Sequence, residues 1–312
     1  MELYEANKIL RTVKTALAAD GMKISSSAET DGLMMLLDRL DAEKYLAPKI
    51  KHARAAAKDS AAYGKLYNHI VFFRALQAAK LEAVSDPVTS LSAMLLNKLL
   101  FGDLVPDAGK PRSKPVYTGE SAHTAPSYIP GSLKSIITKM NEIASAPQSG
   151  KEDFAVYLSH YMRELIILHP FDCGSELTVR IFMMLFSKLK GFGLGYHRTT
   201  PATVKAAETA AFSADDVAPL YKMLLSCLMY ETRTVAAPQR TVHTKRELSH
   251  ELMRQPRPAR AEQKSQQPPA RDKKPIADED VLKRAVRLQQ KISKLNDQLT
   301  ELISPYESGD DE

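Results

Sequence analysis

Tryptophan is absent from this chain of 312 residues, and cysteine occurs only twice. Cys173 and Cys227 are too few for the disulfide framework of a small secreted domain, so we expect a reducing, cytoplasmic setting. No apolar run reaches membrane-spanning length, and residues 1–19 lack the pattern of a secretory signal peptide. These absences exclude a disulfide-stapled scaffold and predict a protein with no membrane contact.

The net charge of +6 is informative mainly through its position. Much of the excess lies between Arg233 and Lys274, where prolines alternate with Arg, Lys and Gln and large apolar residues are scarce. Such a segment cannot bury enough surface to offset its ordering entropy, so residues 232–275 are predicted to be a disordered basic linker. Because aromatic residues for base stacking are missing there, we favour a solvated tether over a nucleic-acid-binding segment.

Apolar residues return after the linker at alternating four- and three-residue spacing. They are Val281, Ala285, Leu288, Ile292, Leu295, Leu299 and Leu302. This spacing predicts a short coiled-coil-like helix over residues 276–304, ended by Pro305 and followed by an acidic tail, residues 305–312. The apolar stripe of residues 281–302 predicts either self-association or docking on a partner or on the chain's own domain.

The first 230 residues read as a series of amphipathic helices, because apolar residues recur at three- and four-residue intervals. The predicted helices cover residues 4–19, three runs within 33–83 (the third 63–83), 90–101, 130–144, 154–166, 181–189, 206–211 and 215–230. Residues 116–129 alternate weakly and predict a short β-hairpin, with a surface loop as the alternative. The fold class is therefore all-α with one short hairpin.

The most informative stretch is His169-Pro-Phe-Asp-Cys-Gly-Ser-Glu-Leu-Thr-Val-Arg180, which joins two of these helices. Proline disfavours α geometry in the residue before it, so the first helix must end at His169. Gly174 then precedes the second helix. The pattern predicts a histidine base aimed at the N-terminus of that helix, where free N–H groups favour anions.

This stretch resembles the signature of the Fic/Doc (Fido) family, His-Pro-Phe-x-(Asp/Glu)-Gly-Asn-Gly-Arg-x-x-Arg. The positions that agree are His169, Pro170, Phe171, Gly174 and Arg180. The resemblance implies a Fic helical bundle that transfers AMP from ATP, with Mg²⁺, onto a hydroxyl group of a partner protein. It assigns His169 the role of catalytic base.

The resemblance also implies the nucleotide-binding residues. Gly174, Ser175 and Arg180 occupy positions that cradle the phosphates in the family, with Ser175 in place of the asparagine. The family's metal-binding acid is replaced by Cys173, and Asp172, one residue away, is the remaining candidate metal ligand.

Three substitutions oppose the use of ordinary Mg-ATP. Cys173 offers a thiol where Mg²⁺ prefers oxygen. Glu176 puts a carboxylate where a glycine would let the backbone approach polyphosphate. Leu177 removes an arginine contact worth roughly 1.5–3 kcal/mol. Two functions therefore stay open: a divergent nucleotidyltransferase with impaired or altered donor use, and a catalytically inactive Fic fold that binds proteins.

A regulatory motif is suggested near the N-terminus. Ser25-x-x-x-Glu29 resembles the inhibitory motif of Fic proteins with an N-terminal regulatory helix, and the resemblance implies that Glu29 pairs with Arg180. The alternative is an ordinary loop in which a serine caps the following helix. This motif places residues 1–88 in an N-terminal helical region, ahead of a Fic core of residues 89–231.

The predicted hairpin coincides with the family's flap. Ala108-Gly-x-x-Arg112 resembles a run that family members place just before it. His123 and Thr124 then fall on the flap, which in the family adds the target peptide as an extra strand. The resemblance therefore implies that His123 and Thr124 dock the target.

Overall fold

The computed structural model describes residues 1–58, 60–81, 88–144, 150–214 and 216–230, all within one compact unit, Met1–Pro238. The predicted linker (232–275), the helix of residues 276–304 with its self-association, and the acidic tail lie outside these residues. Within the described ranges, no helix combines the length and apolarity needed to cross a membrane.

The all-helical prediction is confirmed, and the short hairpin is present. The helices of the described part are α1 Leu3–Ala18, α2 Ser26–Leu36, α3 Ala42–Ala55, α4 Ala61–Lys80, α5 Ser90–Phe101, α6 Ile129–Ala144, α7 Lys151–Leu168, α8 Ser175–Leu189, α9 Pro201–Ser213 and α10 Ala218–Cys227. The hairpin pairs β1 (Tyr117–Thr118) with β2 (Ser121–Ala122), and Gly119 adopts a φ of 60° in the turn between them. The apolar periodicity of the sequence therefore predicts the helices from which the bundle is built.

Polar side chains set several of the helix starts. Their oxygens accept backbone N–H groups of the first turn, which would otherwise lack partners. The capping residues are Ser25 for α2, Asp41 for α3, Ser60 for α4, Thr89 for α5 and Thr200 for α9. Each such cap stabilises a helix by about 1 kcal/mol.

The last predicted helix is too long. The predicted helix extends to Tyr230, whereas α10 ends at Cys227 and Leu228–Tyr230 forms strand β4. This strand pairs antiparallel with β3, Phe192–Leu194, which follows α8 after a turn at Gly191 with a φ of 81°. The apolar pattern before Tyr230 cannot reveal this partner, because β3 lies more than thirty residues upstream.

Helix α8 lies at the centre of the bundle and packs against α1, α4, α5 and α7. The predicted core positions Ile70, Phe73 and Leu76 of α4 are buried. Leu81, also predicted to be core, is 46% exposed because it lies beyond the end of α4. The loop between α7 and α8 is thus held by a rigid core on both sides.

Candidate active site

The α7–α8 loop begins and ends with residues in left-handed conformation. His169 caps α7 with φ 45° and ψ 67°, and its N–H donates to the carbonyl of Leu165 at 3.0 Å. Positive φ is uncommon outside glycine, and here Pro170 prevents the helix from continuing. At the other end Gly174 has φ 61°, and a Cβ atom there would lie 1.9 Å from Cζ of Phe101. Gly174 is therefore required sterically.

Arg112 fastens the start of this loop from within the protein. Its Nε donates to the carbonyl of His169 at 2.7 Å, and its backbone N–H donates to the carbonyl of Pro170 at 2.9 Å. Its remaining nitrogens bond the carbonyls of Lys114 and Thr124, and more weakly that of Leu168. Burial lowers the pKa of this guanidinium. Arg112 therefore holds backbone and has little capacity left for a ligand.

Ser175, predicted to contact phosphate, supports the loop in this structure. Its side chain is buried, and its Oγ accepts the backbone N–H of Phe171 at 3.0 Å. This contact closes the loop from its second half back to its first. Ser175 thus takes a position at the start of α8 while its hydroxyl oxygen faces the protein interior.

Asn97 of α5 is a support that sequence reasoning missed. Its side-chain amide donates to the carbonyl of Cys173 and to Oγ1 of Thr178, both at 2.9 Å. Its oxygen accepts the backbone N–H of Gly109 at 2.7 Å. A buried asparagine inside an otherwise apolar helical pattern was the available signal, because such a group must find partners.

The imidazole of His169 lies at the start of the α7–α8 loop, close to the first turn of α8. Its side chain is only 13% exposed, and its Nδ1 lies 3.9 Å from Oε1 of Glu176. Burial lowers the pKa of His169 from 6.5 to about 4, and nearby Glu176 opposes this shift. His169 is therefore neutral at pH 7, which is the form that can accept a proton.

The flap residues predicted to dock a target face inward instead. His123 is buried, with its ring centroid 4.5 Å from that of His169 and 4.1 Å from that of Phe212. Thr124 bonds the carbonyl of Ile167 through both its N–H, at 3.2 Å, and its hydroxyl, at 3.3 Å. Both residues attach the flap to the end of α7. The strands β1 and β2 themselves are exposed.

Glu176 occupies the anion position at the start of α8. Burial acts to raise its pKa, but His169, its own backbone N–H, and the positive charges of Lys205 and Arg180 together lower it. The carboxylate is thus ionised at the end of the helix where N–H groups favour negative charge. A phosphate group approaching this end would meet a negative charge already in place.

Arg180 is fully buried and fully engaged. Its Nε and Nη2 contact the two carboxylate oxygens of Glu208 at 2.6 and 2.5 Å. Its Nη1 contacts Oδ1 of Asp20 and the carbonyl of Ala16, both at 2.8 Å. Burial raises the pKa of each carboxyl, and Arg180 opposes the rise. Two acids surround one arginine.

The predicted pairing of Glu29 with Arg180 is wrong. Oε1 of Glu29 lies 2.5 Å from Nζ of Lys14, on the neighbouring helix α1. Ser25 caps α2 by accepting the N–H of Ala28 at 3.2 Å, as the plain loop interpretation expected. The carboxylates that reach Arg180 come from the residue pair Asp20 and Glu208, which sequence reasoning did not single out.

Helix α9 forms a further wall of the site. Lys205, Glu208 and Phe212 are three and four residues apart, so they share one face of the helix. Glu208 holds Arg180 and Phe212 stacks on His123, whereas Lys205 is exposed and forms no ion pair with the described residues. The signal was the acid at position 208 within an alanine-rich apolar helix, which the sequence analysis did not use.

The residues present do not fit a magnesium ion. Cys173 lies in hydrogen-bond contact with the hydroxyl of Tyr67, at 3.1 Å, and burial raises the pKa of its thiol. Asp172 is exposed, and the described residues contain no cluster of three His, Cys, Asp or Glu side chains that could hold a metal. Leu177, at the position of the lost arginine, is buried in the core. The first turn of α8 therefore supplies no metal site and no cationic clamp.

Comparison with known proteins identifies the central part of the chain. Residues 87–187 match the family model described as the Fic/DOC family. A probable protein adenylyltransferase Fic from Salmonella typhimurium is 28% identical over 120 residues, which are 38% of this chain and 60% of that protein. Protein adenylyltransferase fic-1 from Caenorhabditis elegans is 27% identical over 120 residues, covering 38% of this chain and 23% of that protein. The chain thus spans less than two thirds of either relative.

Solved structures of Fic proteins resemble this chain at low sequence identity. The BepC protein of Bartonella tribocorum, with bound AMPPNP, aligns with a TM-score of 0.48 and 17% identity, covering 53% of this chain and 85% of that one. A Fic family protein from Desulfovibrio desulfuricans aligns with a TM-score of 0.47 and 14% identity, covering 72% and 62%. The family match of residues 87–187 includes the flap, the histidine loop and most of α8. Residues 87–187 of this chain therefore match the Fic/DOC family.

Proposed function

We propose that this domain is a divergent protein nucleotidyltransferase in which the catalytic base is intact and the donor site is restrained. The observation that carries the proposal is the neutral imidazole of His169, held beside the N-terminus of α8 by a loop whose backbone is fixed by Arg112. Two relatives bear the name of protein adenylyltransferase. A nucleoside triphosphate is the donor that this arrangement suggests.

The proposed chemistry needs one proton acceptor. A hydroxyl oxygen of the target protein would attack the α-phosphorus, the bond from that phosphorus to the pyrophosphate would break, and pyrophosphate would leave. His169 would take the hydroxyl proton as general base. Its low pKa keeps it unprotonated at neutral pH but also makes it a weaker base than an ordinary histidine.

Restraint of the donor site follows from its negative charges. Glu176 holds the anion position of α8, and Asp20 with Glu208 neutralises Arg180. The negative charge of a polyphosphate would be repelled by these carboxylates. No Mg²⁺ held by the protein would offset this repulsion, so the carboxylates would have to move away. We therefore propose weak use of Mg-ATP, or a donor with fewer charges. Gly174 would be its nearest contact, and Arg180 would contact it only after Asp20 or Glu208 releases the guanidinium.

Calorimetry and label transfer test the proposal together. ATP binding to the full chain is measured with and without Mg²⁺, and transfer of α-³²P-labelled nucleotide to protein is followed for the wild type, Asp20→Asn and His169→Ala. We expect weak binding by the wild type, tighter binding by Asp20→Asn because a negative charge next to Arg180 is removed, and no transfer by His169→Ala. Transfer that persists in His169→Ala would refute the role of the base.

A protein-binding module without catalysis is the second candidate. The saturation of Arg180 by Asp20 and Glu208 favours it, because that arginine then serves the core and not a ligand. In this case neither the wild type nor Asp20→Asn binds nucleotide, although both fold. The exposed edges of β1 and β2 would then be the surface to test for partners.

A further inference from the structure

His123 stands between the flap and His169. Its ring stacks on that of Phe212, with centroids 4.1 Å apart and planes 13° from parallel, and contacts that of His169 at a tilt of 45°, with centroids 4.5 Å apart. The ring is 8% exposed. This buried histidine contacts the ring of His169 and is therefore part of the site's construction, whereas the family resemblance implied only that it docks a target.

The hydrogen bonds of His123 determine its tautomer. Nδ1 lies 3.2 Å from the carbonyl of Ile166 and 3.3 Å from that of Ile167. Carbonyl oxygens only accept, so Nδ1 carries the proton. In the neutral ring Nε2 is then an acceptor, and the hydroxyl of Thr118 on β1 donates to it at 2.9 Å. Burial lowers the pKa of His123, which favours this neutral form.

These contacts connect two parts of the molecule through one ring. On the backbone side His123 is attached to the last turn of α7, two to three residues before His169. On the flap side it is attached to the hairpin through Thr118. The ring contacts His169, whose side chain is only 13% exposed, and Phe212 packs against the same ring.

We propose that His123 is a positioning residue that holds the imidazole of His169 in place and keeps it out of water. The inference rests on the proposed function of His169 as base, but its test does not require catalysis. The ring of His123 acts through its contact with His169, and its hydrogen bonds hold the ring and the hairpin in place at the end of α7.

Other charged groups also act on His169 and must be kept constant in a test. Glu176 on α8 favours the protonated form, whereas Arg112 before the hairpin and Lys205 on α9 oppose it. His123 on the flap also opposes it. Removing the ring of His123 exposes His169 and removes an opposing group, so both effects raise the pKa of His169.

Proton NMR titration of the histidine rings in the full chain measures this directly. The Hε1 resonance of His169 is assigned by its loss in His169→Gln. His123→Phe keeps a flat ring in the stack but loses the hydrogen bonds, whereas His123→Asn keeps an amide donor and loses the ring. The matched control is His160→Asn on α7, whose ring contacts Tyr161 at 4.9 Å and not His169.

We expect the pKa of His169 to rise from about 4 towards 6.5 in His123→Asn. It should stay close to the wild-type value in His123→Phe and in the His160→Asn control. An unchanged pKa of His169 in a folded His123→Asn protein would overturn the proposal, as would an equal rise in both variants of His123. If His123→Asn does not fold, His123→Leu takes its place, because it removes the ring without adding a polar group.

The result is independent of nucleotide transfer. A raised pKa in a chain that never transfers nucleotide would support the positioning role and refute only the proposed activity. Transfer activity together with an unchanged pKa would do the reverse. The two failures are therefore distinguishable.

Discussion

The two halves of the histidine loop are built in opposite ways. The first half, around His169, is held by contacts to its backbone and by the ring of His123, and the described residues form no hydrogen bond with the imidazole itself. The second half, along α8, has its charged side chain saturated, because Arg180 is surrounded by Asp20, Glu208 and a carbonyl. The first half leaves its imidazole without a hydrogen-bond partner among the described residues. The second half uses its guanidinium in contacts within the protein.

This difference separates positioning from binding. Arg112 and Asn97 can hold backbone without consuming the functional group that they position. Arg180 cannot hold Glu208 in a two-oxygen contact and also offer the same nitrogens to a phosphate. The imidazole of His169 is therefore neutral and available as it stands, whereas Arg180 must exchange a partner before it can bind an anion.

The largest change in the free energy of unfolding is expected when the contacts of Arg180 are removed. Arg180→Ala would leave the buried carboxylate of Glu208 and the partly buried carboxylate of Asp20 without their partner, and such changes typically cost about 3–5 kcal/mol. Urea unfolding of the full chain, analysed for the transition of the Fic domain, measures the loss. The triple variant Arg180→Met, Asp20→Asn, Glu208→Gln should recover much of it, because no uncompensated charge remains.

The control for this prediction is a surface ion pair. Lys110→Ala removes an exposed partner of Asp107 and should leave the unfolding curve unchanged, because exposed pairs contribute little. A loss as small in Arg180→Ala as in Lys110→Ala would contradict the view that α8 depends on this arginine. Arg180 would then be available to bind a ligand.

The pH dependence of stability tests the base half. His169 has a folded pKa of about 4 against an ordinary value of 6.5, so the unfolded chain takes up this proton first as the pH falls. The contribution of His169 is fully present above pH 6.5 and is lost between pH 6.5 and about 4, by roughly 3 kcal/mol at most. Unfolding of wild type and His169→Gln across this range gives the difference.

The difference in stability between wild type and His169→Gln is free of the contributions of other titrating groups. The raised pKa values of Asp20 and Glu208 act in the opposite direction, since the folded chain then takes up their protons first. They are present in both proteins and largely cancel. Parallel stability curves for wild type and His169→Gln would show that burial does not shift the pKa of this histidine.

Gly174 lies at the boundary between the halves. Gly174→Ala adds a Cβ atom in a left-handed conformation and 1.9 Å from the ring of Phe101, which together should cost about 2–3 kcal/mol. The matched control is Gly131→Ala in α6, where a Cβ would meet no atom within 4 Å and alanine favours the helix. Thermal unfolding should separate the two variants. Equal midpoints would show that Phe101 yields at no cost.

Local patterns were enough to predict the helices and the hairpin. Helix α5 has the predicted bounds of residues 90–101, because an apolar period and a capping threonine coincide there. Strand β4 could not be predicted, since its partner β3 is distant in sequence. The apolar period within a segment thus predicts its helix. It does not predict which distant segments pair with each other.

The site shows the same division. The loop geometry around His169 followed from Pro170 and Gly174, which restrict the backbone locally. The partner of Arg180 did not follow, because the inhibitory-type motif supplied Glu29 whereas the fold brings Asp20 and Glu208. A motif states which residue types meet, but packing decides which of several carboxylates arrives.

The smallest effect should come from Glu176, where the two halves meet. Glu176→Gln keeps the shape of the side chain and removes the charge that lies 3.9 Å from His169. Because that charge favours the protonated imidazole, the pKa of His169 should fall further below its wild-type value of about 4. The start of α8 should also accept inorganic pyrophosphate more readily, by roughly three- to tenfold, since helix N-termini favour anions by up to about 1 kcal/mol.

Two measurements on one protein decide this case. NMR titration follows His169, and calorimetry follows pyrophosphate. Glu152→Gln is the matched control, because Glu152 also lies in the first turn of a helix, α7, but is not among the groups that shift His169. If pyrophosphate binding improves while the pKa of His169 stays constant, Glu176 restrains the phosphate side alone. If neither changes, the carboxylate does not link the two halves, and the limit on donor binding lies with Arg180 and the two acids that hold it.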